Sequence, residues 1–217
     1  MVFGALLLTI FAALEHRPAQ AQEIQIPAPA TIPDFVGLAI GFAPDYIGAN
    51  EYIIGPAPFG RLGWGEWRNV TLVGNELSAN IVDHPILRFG PIGRYRFGRN
   101  HVKDNVVDKM NDISGTVELG GYAGAEFIND LDPRIRLIAR ASVTHDVGQV
   151  NNGLVVRGSV NYWYPLAEFL TLGLATSVSY ANGNWMETYF GVDHTDARQS
   201  GLPFYRADGG KIGRAHV

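Results

Sequence analysis

The stretch FLTLGLATSVSYANG, residues 169–183, decides the fold. Its even positions are Leu170, Leu172, Leu174, Thr176, Val178 and Tyr180, while its odd positions are Thr171, Gly173, Ala175, Ser177 and Ser179. Side chains on a strand point alternately to opposite faces, whereas a helix returns to the same face every three to four residues. A sustained period of two therefore makes this segment a strand with one apolar and one small, polar face.

The same alternation runs upstream. GLVVRGSVNYWYPLA sets Leu154, Val156, Val160, Tyr162 and Tyr164 against Arg157, Ser159 and Asn161. RIRLIARASVTHDV sets Ile135, Leu137, Ala139, Ala141 and Val143 against Arg136, Arg140, Ser142 and Thr144. TVELGGYAGAEF sets Val117, Leu119, Ala123, Ala125 and Phe127 against Glu118 and Glu126, and ILRFGPIGRYRFG sets Leu87, Phe89, Tyr95 and Phe97 against Arg88, Arg94 and Arg96. With shorter strands at 35–42, 52–62 and 69–82, eight are expected, the others at 86–98, 115–128, 134–147, 153–165 and 169–181. The connections NDLDP, GQVNNG and PLAE are too short for a crossover helix, so neighbours pair as antiparallel hairpins. Only 99–113 is long and polar enough for an external loop with a helical turn.

An antiparallel meander can be a soluble barrel or sandwich, a propeller or an outer-membrane barrel. Strand length and aromatics grouped near strand ends (Trp64, Trp67, Tyr162, Trp163, Tyr164, Trp185, Tyr189, Phe190) favour the membrane barrel. The charges agree. Arg94 and Arg96 on one strand, Glu118 and Glu126 on the next and Arg136 and Arg140 on the one after share the polar face, signed plus, minus, plus. Such pairs suit a barrel interior, where lipid takes the apolar face, better than a soluble sandwich whose charged face meets bulk water. The expected class is all-β: an antiparallel up-and-down transmembrane β-barrel, incomplete in this chain.

Residues 1–21 carry an apolar run from Val2 to Leu14 and a small-x-small site, Ala19-Gln20-Ala21, which reads as a signal peptide cleaved before Gln22. No Lys or Arg precedes the run, a departure that reads as a misplaced start; the competing reading is a buried helix beginning at residue 2. Residues 22–34, with Pro27, Pro29 and Pro33, form an extended periplasmic lead-in to the barrel at 35–210. The chain has no cysteine, so an exported fold holds by packing and backbone hydrogen bonds alone. A net charge of −4 gives no nucleic-acid footprint, and 18% charged residues beside 47% hydrophobic ones exclude disorder.

Three Asp/His neighbours invite a metal or catalytic reading: Asp83-His84, His145-Asp146 and Asp193-His194. His145 and Asp146 on one strand face opposite ways, and the other pairs sit at turns where Asp shapes the backbone. Ser142, Thr144 and His145 form the one cluster suggestive of a hydrolase, yet Ser142 and His145 differ in parity. No catalytic, cofactor or metal residue is expected, and no cofactor.

Four stretches resemble the MipA/OmpV family of Gram-negative outer-membrane proteins: AIGFAPDYIGANEY (39–52), RFGPIGRYRFGRN (88–100), NDISGTVELGGY (111–122) and WMETYFGVDHTDARQSGLPFYRADGG (185–210). The last is the most specific, joining Thr188-Tyr189-Phe190-Gly191-Val192 to Ser200-Gly201-Leu202-Pro203 and Tyr205. The resemblance spans 35 to 210 in order. It implies a closed barrel of about twelve strands in the outer membrane, in contact with lipid. It further implies a non-enzymatic scaffold that brings a lytic transglycosylase together with a bifunctional murein synthase, with a porin-like channel as the alternative. THDVGQVNNGLV (144–155) departs from the family's richer glycine/histidine turn.

After residue 181 no further alternating run follows, though METYFG could start a short strand. The closing IGRAHV is what one frame of a common sequencing adapter encodes, so 211–217 read as a non-native tail on a truncated chain. A curved, incompletely closed sheet frayed after about 205 is the expectation for such a chain, whose open edge would leave backbone groups unpaired. The 99–113 and 192–210 segments are expected to be extracellular, with the short turns and the lead-in on the periplasmic side.

Overall fold

The computed structural model describes residues 9–10 and 34–216. The predicted signal peptide and lead-in lie outside the described residues, apart from Thr9, Ile10 and Asp34. Nine strands follow one another as antiparallel neighbours: β2 (Phe35–Pro44), β3 (Tyr52–Trp64), β4 (Arg68–Val73), β5 (Glu76–Asn80), β6 (Leu87–Arg96), β7 (Thr116–Ile128), β8 (Arg136–Asp146), β9 (Leu154–Ala167) and β10 (Leu170–Ala181). The two-residue β1 (Thr9–Ile10) and β11 (Gly210–His216) both lie along the far side of β10. The sheet does not close: β2 pairs with β3 and with no second strand among the described residues.

Three expectations need correction. The single strand at 69–82 is a hairpin, β4 and β5, because Gly74 takes a φ of 57° and turns the chain between Val73 and Asn75. The stretch containing METYFG is helical: α1 (Gly183–Phe190) starts where the Asn182 side chain accepts from the Trp185 N–H, and α2 (His194–Ser200) follows, capped by Asp193. The chain also does not fray after 205, since β11 pairs with β10 from Ala175 to Ala181. The loop at 99–113 keeps its predicted character, with one short 3-10 turn at Val107–Lys109.

The two faces of the sheet differ in chemistry. Its convex face carries exposed aliphatic and aromatic side chains such as Ile40 (76% exposed), Phe89, Leu119, Val160 and Val178. The largest fully buried side chains are Glu118, Asn80, Thr144 and Asp146, all polar and all on the concave side. An apolar cluster of Ile113, Val155, Ala181, Trp185 and Tyr189 sits at one end only.

Tight curvature has a steric basis in Gly90 on β6 and Gly120 on β7. A Cβ at Gly90 would collide with the Ala79 carbonyl oxygen, and one at Gly120 with that of Val143. Missing side chains on the inner face let the neighbouring backbones close in where the sheet bends.

The two longest connections, 97–115 and the segment after Ala181, lie at the end holding the apolar cluster, together with 45–51, 74–75 and 147–153. The opposite end has the connections 65–67, 81–86, 129–135 and 168–169, none longer than seven residues.

Candidate functional site

The concave face is an ion-pair ladder built by strand register. Glu76 on β5 stands opposite Arg94 on β6, and Arg94 stands opposite Glu118 on β7. The Arg94 Nη2 donates to Glu76 Oε2 at 2.5 Å, and its Nη1 lies 3.7 Å from Glu118 Oε2. Arg96 Nε donates to Glu118 Oε1 at 2.6 Å, and Arg140 on β8 reaches the other oxygen of Glu76. Nearer the short-turn end, Glu126 accepts from Arg88 Nε at 2.8 Å and lies 3.8 Å from Arg136. The guanidinium planes rest on aromatic rings: Arg140 over Tyr122, Arg88 over Trp67 and Arg136 over Trp163. Glu118 is 1% exposed, so its charge is held out of water, and the pairing with Arg96 and Arg94 offsets its desolvation. The ladder fixes these charges against one another on the concave face.

At the long-connection end α1 lies over the ladder. Trp185 and Tyr189, one helical turn apart, are buried on its inner face, and their rings pack with centroids 4.7 Å apart. The Trp185 Nε1–H donates to Glu118 Oε1 at 3.3 Å, and the Arg96 guanidinium sits 4.8 Å from the Trp185 ring. Asn151 Nδ2 donates to the Tyr189 hydroxyl. Burial pushes the Tyr189 phenol above its ordinary value, with Arg96 pulling the other way. The neighbouring connections are tied in: Asp45 accepts from the Lys103 N–H, Asp196 accepts from the Asn111 N–H at 2.7 Å, and Glu187 accepts from the Ala207 N–H.

One small cleft shows how the segments meet. Tyr46 and Ile47 come from the first turn, Phe97, Gly98 and Arg99 from the end of the arginine-rich strand, Ile113 from the return into β7 and Tyr189 from α1. The stretches 39–52, 88–100, 111–122 and 185–210 are far apart in sequence, yet each contributes to this one lid. The chain matches the family model described as MltA-interacting protein MipA over residues 36–213. It belongs to the MipA family. No curated protein and no solved structure matches it significantly. The family is non-catalytic, and among the described residues no group of three or more His, Asp or Glu could hold a metal ion. The family-like residues Trp185, Tyr189 and Ile113 are 3%, 6% and 8% exposed, so they are committed to packing the lid.

The paired residues singled out from the sequence fall apart as parity requires. His145 is exposed on the convex side, while Asp146 is buried and accepts from Thr116 Oγ1 and from the backbone of Gly148, Asn151 and Asn152. Ser142 is buried on the concave side, away from His145, and Thr144 donates to Glu118. Asp83 accepts from the Trp67 N–H and pairs with Arg68, while His84 Nδ1 accepts from the N–H groups of Ile86 and Leu87. Asp193 caps α2, and His194 stacks on Phe204. The aromatic grouping divides. Tyr162 and Tyr164 point outward, but Trp163 turns in onto Arg136, and Trp185 and Tyr189 belong to the lid. The helical spacing of Trp185 and Tyr189 after an Asn cap was the available signal.

Proposed function

We propose that this chain is an outer-membrane β-barrel protein whose convex face meets lipid, and that it acts as a scaffold bringing a lytic transglycosylase together with a bifunctional murein synthase. The match to the MipA family over most of the chain carries the scaffold role. The membrane assignment draws on the inverted faces, since a contiguous apolar exterior around a charged interior is what a bilayer-embedded barrel requires. Export follows the reading of 1–21 as a signal peptide, with Gln22 as the mature N-terminus. The long connections with α1 and α2 then lie outside the cell and the short turns face the periplasm.

A porin-like channel is the second reading, favoured by the arginines and glutamates of the concave face. Two features weigh against it: every glutamate of the ladder is ion-paired, and α1 covers the ladder at one end. The deciding experiment pairs pull-down of murein hydrolases and synthases from a detergent extract with planar-bilayer conductance. Co-purification without stable channels is the expected result. Stable channels with no co-purified enzyme would overturn the scaffold.

A further inference from the structure

The short-turn end presents an apolar side chain in a setting that water alone does not explain. Leu131 is 95% exposed at the tip of the 129–135 turn, and Phe169, on the adjacent 168–169 turn, is 68% exposed. The turn that carries Leu131 is firmly built. Asn129 Oδ1 accepts from the N–H groups of Leu131 and Asp132, and Asp132 Oδ1 accepts from the N–H and Nε of Arg134. Arg134 then crosses to the next turn, donating through Nη1 to the carbonyl oxygens of Ala167 and Glu168, both at 3.1 Å. One arginine thus locks the two turns into a single knuckle with an apolar residue on each. A rigid knob loses little conformational entropy on docking.

The charge around it is acidic on balance. Arg134 is paired with Asp132. The other exposed charges of these two turns, Asp130 and Glu168, are both carboxylates. An acidic rim is repelled by phosphate headgroups and attracted by a basic protein surface.

We propose that the 129–135 and 168–169 turns form a docking knuckle for a protein partner that offers an apolar pocket, rimmed by lysine and arginine, to Leu131 and Phe169. This rests on the scaffold reading, in which the short turns face the periplasm, and it assigns the contact to the end opposite the lid.

The test uses the full chain in detergent micelles and in vesicles of phosphatidylethanolamine and phosphatidylglycerol, with a purified lytic transglycosylase and a purified bifunctional murein synthase as probes. Leu131→Asp with Phe169→Asp is expected to weaken binding of at least one enzyme by roughly thirtyfold, the scale of a hot-spot loss. The charge-neutralising pair D130N/E168Q is expected to flatten the salt dependence, and Asn105→Asp at the opposite end to leave binding unchanged. Leu131→Ala with Phe169→Ala, which adds no charge, is expected to weaken binding in the same direction. An environment-sensitive dye on Leu131→Cys is expected to report water in vesicles alone and an apolar setting once the enzyme is added. Wild-type binding that survives both double variants would overturn the knuckle and leave the scaffold standing. Absence of wild-type binding to either enzyme would overturn the scaffold reading and the knuckle with it. A dye already in an apolar setting in vesicles alone would make the knuckle a lipid anchor instead.

Discussion

Arg140 on β8 and Glu76 on β5 form an ion pair although β6 and β7 lie between their strands. Neighbouring strands stand about 4.8 Å apart, so on a flat sheet the two backbones would be about 14 Å apart. The side chains meet because the sheet curls about this face, and Glu76 also holds Arg94. Glu76→Gln leaves two guanidinium groups without their shared partner, whereas Arg140→Gln leaves Glu76 still bound to Arg94. Removing one partner of a buried pair costs about 3–5 kcal/mol. Urea unfolding in micelles is therefore expected to show Glu76→Gln at that scale and Arg140→Gln as the milder of the two.

Gly90 and Gly120 set the curvature by letting backbones approach. Gly120→Ala is expected to part β7 from β8 near Val143, because the added methyl group meets a carbonyl and not a side chain that can move aside. Gly121→Ala, beside it on the opposite face, meets nothing closer than 3.7 Å and serves as the control. Amide exchange along β8 is expected to accelerate in the first variant and stay unchanged in the second.

The lid depends on Trp185. Trp185→Ala removes a buried ring and a hydrogen bond to a buried carboxylate, at about 3–5 kcal/mol for the ring alone. Limited proteolysis is expected to cut within 183–207 in this variant while the far-ultraviolet strand signal persists. Trp185→Phe keeps most of the ring and loses the bond to Glu118, so it is expected to fall between the two.

The lid also carries a pH signature. Because burial holds the Tyr189 phenol above its ordinary value of about 10, the folded state binds this proton more tightly than the unfolded state. By linkage its contribution is fully present below that ordinary value and is lost as pH rises from there through the folded value. Tyrosinate absorbance is expected to lose one late-titrating group in Tyr189→Phe, and in the parent protein the lid is expected to loosen as that group titrates.

Much of this fold was legible because a strand writes its two faces into alternate residues. The parity of Arg94, Glu118 and Arg140 was readable residue by residue, and it correctly placed all three on one face. What parity cannot give is reach: that Arg140 would bind Glu76, three strands away, depends on curvature, and Glu76 lay in a segment read as one long strand. The Gly74 turn did leave a mark, since the apolar positions switch from even (Val70, Leu72) to odd (Leu77, Ala79, Ile81) across it, a change of face that one continuous strand does not make. The lid was missed for its own reason. Trp185 and Tyr189 look like interface aromatics when read beside Phe190, and their helical spacing is short enough to pass for a strand end. The knuckle depends on Arg134 bridging two turns that are distant in sequence, which no local pattern records.

The central claim is that the convex face of this sheet lies in lipid, and single-cysteine scanning tests it most directly because the chain has no native cysteine. Cysteines at Leu174, Val178 and Val160, on the convex face, and at Ser177 and Asn161, on the concave face, are labelled in intact outer membranes and challenged with lipid-borne quenchers. Strong lipid quenching is expected at 160, 174 and 178 and little at 161 and 177. Equal labelling of both sets by a membrane-impermeant reagent, in protein recovered from the soluble periplasmic fraction, would contradict it.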